Sequence, residues 1–217
     1  MKRLILLSLL LFNLESFSSY ILIPMDETQT NHLKSYGIAF LTLEQDVKVD
    51  WLLNYRGGSF LIKHYPEIEK ECIIRGVSYQ IIADVQSTEI LKSISSPSVN
   101  QDVVRLEKTP KIAIYSPKNK QPWDDAVTMA LSYAEIPYEV IYDEEVLSDI
   151  LPLFDWLHLH HEDFTGQYGK FYASYKNATW YKEQKVLYEQ TATKLGFDKV
   201  SDEKLAVAKK IKNFVMG

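Results

Sequence analysis

The run WLHLHHEDFTG, residues 156–166, packs the most reactive side chains into the shortest stretch of the sequence. In an extended strand His158 and His160 face one side while Leu157 and Leu159 face the other, and His161, Glu162 and Asp163 enter the following loop. Imidazoles beside carboxylates can move protons near neutral pH, so His160, His161 and Glu162 are the candidate catalytic residues. The same atoms could hold a metal through two imidazoles and a carboxylate, but the spacing is not that of the His-Glu-x-x-His helix, and no metal site is assigned. The simpler structural reading is that these histidines are hydrogen-bonded at a strand end and orient the loop beyond it, with His158 the most strand-internal.

A second candidate is NYRGGSF, residues 54–60, where Gly57 and Gly58 permit a tight turn or a close backbone approach and Arg56 can pair with a carboxylate or phosphate. With Asp26 and Glu27 in the turn DETQTN, and with Asp163 and Tyr168 beyond the histidine run, these residues form the candidate ligand-binding set. Lys118 and Lys120 in SPKNKQPW precede a helix start, where free amides favour anions, although solvated lysines explain them as well. The loop from Phe164 to Tyr181, rich in Tyr, Phe and Trp, suits either stacking on sugar or peptide or packing as a lid. No stretch matches the glycine fingerprints of dinucleotide sites or P-loops, and no cofactor is implied.

The elements that must position these groups repeat. A strand from Tyr20 to Met25, a helix from Thr30 to Gln45 and a strand from Val49 to Tyr55 are matched by Lys111 to Tyr115, Asp124 to Glu135 and Tyr138 to Tyr142. The strands are near-continuous apolar runs and the helices carry apolar residues three and four apart, which predicts parallel strands covered by helices on both faces. Pro66 to Arg75, closed by Gly76, reads as a helix followed by a strand from Val77 to Ala83, and Asp84 to Ile94 as a further helix. Phe154 to Leu159 is a sixth strand, and helices follow from Trp180 to Leu195 and from Ser201 to Val215. The fold class expected is therefore α/β, a doubly wound, mostly parallel sheet of flavodoxin-like type. It is one domain over 20–217, with halves at about 20–96 and 110–217 joined by a linker near 97–109. In such a sheet the loops after the strands gather at one edge, so Asp26, Glu27 and Arg56 are expected to share a crevice with His158 to Asp163. A chain ending on a helix in NFVMG is expected to continue into another strand, so the fold is read as truncated at its C-terminus.

Lys2 and Arg3, the apolar run Leu4 to Phe12 and the small residues Ser16, Ser18 and Ser19 have the order of a signal peptide over 1–19. The run is too short for a permanent span, for which roughly 20 residues are needed, and export to the periplasm or medium is expected, with no integral membrane segment after cleavage. Removing Lys2, Arg3 and Glu15 leaves 22 basic and 28 acidic residues, net −6, with the basic ones scattered, which argues against a nucleic-acid partner. The only cysteine, Cys72, cannot form an internal disulfide and has no neighbouring His to activate it, so it reads as a core thiol.

At YILIPMDETQTNHLKSYGIAF, WLLNYRGGSF and FDWLHLHHEDFTGQYGKFY the chain resembles an exported bacterial family commonly labelled asparagine synthetase B, similar in architecture to class I glutamine amidotransferase-like domains. Asparagine synthetases carry a nucleophilic Cys at position 2 and a pyrophosphate-binding domain, whereas Lys2 stands here and no such motif occurs, so the resemblance implies an amidotransferase-like fold without ATP-dependent synthesis. It also implies that the nucleophile elbow lies on a strand beyond Gly217, and that the loop from His160 to Gly166 holds the oxyanion-stabilising amides. Two functions follow as expectations: an exported hydrolase or transferase acting on an amide or glycan, or a non-catalytic protein that presents its aromatic loop, 164–181, to a small molecule or a cell-envelope glycan or peptide.

Overall fold

In the computed structural model the residues described are 19–117, 125–159 and 175–217, and the chain divides into two compact units, the first ending in sequence at Glu107 and the second beginning at Lys108. It is α/β, with one sheet in each unit.

The first unit runs β1 (Ser19–Ile23), α1 (His32–Glu44), β2 (Val49–Leu53), β3 (Ser59–Lys63), α2 (Pro66–Arg75), β4 (Gln80–Ala83), α3 (Asp84–Ile94) and β5 (Asp102–Leu106). Its strands lie in the order β4-β1-β3-β2-β5, and every pairing is antiparallel. The expected parallel sheet is thus corrected here, and the cause is β3. The apolar run after Gly57-Gly58 returns beside β2 as a hairpin and then inserts between β1 and β2. Because β1 and β2 both run against β3, they still point the same way. The strand–helix–strand pattern is real, but it is split by an intervening strand, as is β3-α2-β4 by β1. The result is the interlocked β-α-β-β-α-β arrangement of ferredoxin-like topology. Residues 102–106, expected within a linker, form the edge strand β5 on β2.

The helices are set by local signals. Asn31 caps α1 by accepting from the Lys34 amide at 3.2 Å; Pro66 opens α2, and Gly76 closes it at φ 65°. Alternation along the strands then sorts two layers. Ile21, Ile23, Val49, Phe60 and Ile62 pack under α1 and α2 with Ile38, Ile68 and Cys72, while Leu22, Leu52, Leu61 and Ile82 pack against Ile94 of α3. Burial pushes the Cys72 thiol up to about 12, so it is an inert core group.

The second unit runs β6 (Ile112–Tyr115), α4 (Ala126–Ala134), β7 (Glu139–Ile141), α5 (Asp143–Leu147), β8 (Trp156–Leu159), α6 (Thr179–Lys194) and α7 (Val200–Met216). Its strands lie in the order β7-β6-β8, all parallel. Ile112 and Ile114 face α4 through Leu131, and Ala113 and Tyr115 face the opposite layer, made by Val146 of α5 and by Val207 and Ile211 of α7. Helices therefore cover both faces. The chain leaves β6 toward β7 on one side and returns to β8 on the other, a reversal of strand order centred on β6. No described helix is long and apolar enough to cross a membrane.

Candidate functional site

A reversal of strand order opens a crevice at the carboxyl ends of the two strands that flank it, here β6 and β8. His158, the third residue of β8, lies in register with Ile114 and so on the α4 face. Asp125 is the N-cap of α4, its Oδ1 accepting from the Val127 amide at 2.7 Å. Its other oxygen, Oδ2, lies 2.6 Å from His158 Nε2. The aspartate side chain is 7% exposed and the imidazole 20%, so the carboxylate is nearly dry while the ring keeps an open edge. Burial pushes the Asp125 carboxyl up, but the hydrogen bonds from His158 and the Val127 amide outweigh it and hold the group below its ordinary value. An ionised carboxylate that fixes one ring nitrogen and would stabilise the imidazolium is the arrangement that makes a histidine an oriented base.

His160, His161, Glu162, Asp163 and Tyr168 lie outside the described residues, as do Lys118 and Lys120 and most of the aromatic loop. Among the described residues there is no group of three or more His, Cys, Asp or Glu able to hold a metal.

Asp26, Glu27, Arg56, Gly57 and Gly58 belong to the first unit and its sheet, so the one continuous sheet expected to carry both sets is two sheets. Asp26 and Arg56 do meet. Arg56 Nε donates to Asp26 Oδ2 at 2.7 Å, and Nη2 donates to Asp26 Oδ1 at 3.3 Å and to Thr28 Oγ1 at 3.0 Å. The bonds from Arg56 and then from Thr28 lower the Asp26 carboxyl to about 2. The backbone that presents Arg56 is unusual: Asn54 (φ 60°), Arg56 (φ 47°), Gly57 (φ 81°) and Gly58 (φ 97°) are all left-handed. A Cβ on Gly57 would come within 2.3 Å of the Met25 carbonyl oxygen, so the turn needs glycine there. The Met25 amide donates to the Arg56 carbonyl at 3.0 Å, and buried Gln29 ties the facing loop to Pro24 and Ser78 through both ends of its amide. Glu27 is exposed beside this pair.

Comparison with protein families, with curated proteins and with solved structures finds no match to this chain. The geometry of the two sheet edges therefore carries the functional reading.

Two further clusters were not singled out by sequence. On the face of the second sheet opposite His158, Asp143 opens α5 and accepts from the Tyr115 hydroxyl and, at 2.5 Å, from Lys204 Nζ of α7. Lys204 also donates to the Tyr142 hydroxyl at 2.9 Å and sits 4.4 Å from that ring's centre. Burial raises the hydroxyl pKa of both Tyr115 and Tyr142, and Asp143 adds to each rise. Glu203, buried beside them, is pushed up to about 8 by burial; Lys204 opposes this, and the Asp143 carboxylate reinforces it. In the first unit, Ser19 Oγ lies 3.2 Å from His64 Nδ1, and Glu69 accepts from His64 Nε2 at 2.7 Å and from the Tyr79 hydroxyl at 3.0 Å, tying the start of β1 to α2. Lys204 lies about sixty residues from Asp143 and Tyr142, Tyr115 lies 28 from Asp143 and Ser19 lies 45 from His64, so spacing along the chain does not announce these pairs.

Proposed function

We propose that the chain is an exported, amidotransferase-like hydrolase or transferase acting on an amide or glycan linkage, with His158 as its general base and Asp125 as the carboxylate that orients it. The observation that carries this reading is the 2.6 Å His158–Asp125 pair at the strand-order reversal of a parallel sheet. Further support is the second unit's architecture, a three-stranded parallel sheet covered on both faces, which is what a flavodoxin-like domain of that type would have at its core. In the proposed reaction His158 takes a proton from an attacking hydroxyl or water and returns it to the leaving amine or alcohol. Asp125 keeps the ring in one tautomer and offsets its charge while it is protonated. His160, His161 and Glu162 follow directly in the chain as the proposed catalytic companions, with Asp163 and Tyr168 contacting the ligand. The site is proposed to work in the periplasm or outside the cell.

A second reading has its own observation. Tyr175 and Trp180 are 44% and 52% exposed, with ring centroids 5.2 Å apart, a pair suited to stacking on a sugar of a cell-envelope glycan without catalysis. One experiment separates the two readings. The full chain is assayed for ammonia release from L-glutamine, L-asparagine and amidated peptidoglycan peptides, and for retention on peptidoglycan, alongside His158→Gln and Trp180→Ala. The hydrolase reading expects release that His158→Gln abolishes and Trp180→Ala spares. Retention lost in Trp180→Ala, with no release from any substrate, replaces it with the binding reading.

A further inference from the structure

Arg56 is held by Asp26 and Thr28, but its guanidinium is not used up. Of the five N–H groups a guanidinium carries, four are engaged among the described residues: two with Asp26, one with Thr28, and one, from Nη1, with Gln80 Oε1 at a long 3.3 Å. The remaining N–H is the second one on Nη1, and Arg56 and Gln80 both line a cleft of about 390 Å³ within the first unit. That size lies in the range of small-ligand pockets, about 300–1,000 Å³. The cleft runs between the end of the antiparallel sheet and α3. It is an open cleft, and Leu22, Tyr55, Ile82 and Ile90 are the apolar residues of its lining. Glu89 of α3 lines the same cleft, one helical turn before Ser93. Glu89 is exposed and makes no ion pair with Arg56 or any other described residue.

We propose that this cleft binds a small zwitterion of the α-amino acid or dipeptide class, its carboxylate held by Arg56 and Gln80, its ammonium group by Glu89, and its side chain against Leu22, Ile82 and Ile90. The charges suit it: Arg56, clamped by Asp26 on one edge, and Glu89 line one cleft without an ion pair between them, beside Leu22, Ile82 and Ile90. A phosphate fits less well, because a dianion beside Arg56 would also face Glu89. The left-handed backbone at Arg56 is the local strain that a recognition site maintains, and the Asp26 clamp orders the guanidinium before the ligand arrives, which reduces the entropy lost on binding. This site lies wholly in the first unit and does not depend on the His158 reading.

The test is titration calorimetry and thermal melting of the full chain with L-leucine, L-alanyl-L-leucine, 4-methylpentanoate, 3-methylbutylamine and inorganic phosphate, each to about 10 mM, where even a millimolar site is nearly saturated. At least one of the two zwitterions should raise the melting temperature and bind at least tenfold more tightly than either single-charge analogue. Glu89→Gln, on an exposed helical position where folding is not at risk, should weaken the zwitterion about tenfold and leave 4-methylpentanoate unchanged; Arg56→Gln should weaken both. Three results overturn the proposal: no response to either zwitterion, tighter binding of phosphate, or a zwitterion affinity that Glu89→Gln leaves unaltered.

Discussion

The two faces of the short parallel sheet each carry an acid–base couple, and the couples are built differently. On one face Asp143 is enclosed by Lys204 and Tyr115, with side-chain exposures of 1% for Asp143 and 6% for Lys204. On the other, Asp125 is buried to a similar degree but its partner His158 is 20% exposed at a strand end. The first couple is sealed under α7, with both Asp143 oxygens occupied and Lys204 also bonded to Tyr142. The second keeps one member at the surface, next to the crevice where α/β sheets bind ligands. The difference between the two couples is thus one of exposure, 1% and 6% for the enclosed pair against 7% and 20% for the open one.

Breaking the enclosed couple should cost the most. Lys204→Met leaves Asp143 buried beside the Glu203 carboxyl, whose Oε1 has no hydrogen-bond partner among the described residues, and removing one member of a buried pair costs about 3–5 kcal/mol. The expected loss in melting temperature is more than about 10 °C. The double change Asp143→Leu with Lys204→Met should recover a large part of it. A double variant no more stable than the single would show that the loss does not come from the stranded Asp143 charge.

Glu203 sharpens the contrast through pH. Its ordinary value is 4.5 and its folded value about 8, so the folded state binds the extra proton, and the stabilisation this gives is full below about 4.5 and lost as pH rises to about 8. Melting temperature should therefore fall across that window. Glu203→Gln should flatten the slope and gain most, relative to the parent chain, at pH 8. An unchanged slope in the variant would assign the pH dependence elsewhere.

Smaller effects are expected at the open couples. Asp125→Ala removes a helix cap as well as the His158 partner, for about 1–2 kcal/mol in melts, whereas Asp125→Asn keeps capping and should cost less than half of that. In the first unit, Asp26 titrates at about 2 rather than 3.8, so its stabilisation is present above pH 4 and is lost as pH falls toward 2. Asp26→Asn should flatten that acid limb and lower the melt at pH 7 by no more than the parent chain loses on that limb, a small amount because the pair is partly exposed; a pH 7 loss well beyond it would make Asp26 a support of the fold rather than part of a recognition edge.

Much of the fold was legible residue by residue. Pro66, Gly76 and the apolar spacing between them mark α2 at its observed bounds, and Asp84 to Ile94 is likewise the helix seen. The sheet of the first unit differs from the expectation because WLLNY and SFLIK look like a strand followed by a turn, while the Gly57-Gly58 pair between two apolar runs is the signal of a hairpin. Once that hairpin closes, β3 inserts beside β1 and turns a parallel expectation into an antiparallel sheet. At the sites, Asp26 and Arg56 were expected at one edge because both follow strands, with Arg56 open to a carboxylate or phosphate, and the two are in contact. Asp125 was legible only as a residue near a helix start. Its partnership with His158, and that of Asp143 with Lys204, depends on which helices the crossovers lay on which face, and spacing along the chain does not carry that information.

The central claim is that His158 and Asp125 act in chemistry rather than hold β8 to α4. It is tested most directly by measuring unfolding free energy and amide turnover together for the parent chain, Asp125→Asn, His158→Gln and the double variant. General acid–base groups contribute about 10²–10⁴-fold to rate. The expected outcome is a turnover loss of that size in each single variant, little further loss in the double, and a stability coupling below about 1 kcal/mol. A coupling of about 1–3 kcal/mol with turnover unchanged by His158→Gln would contradict the claim and make the pair a structural latch.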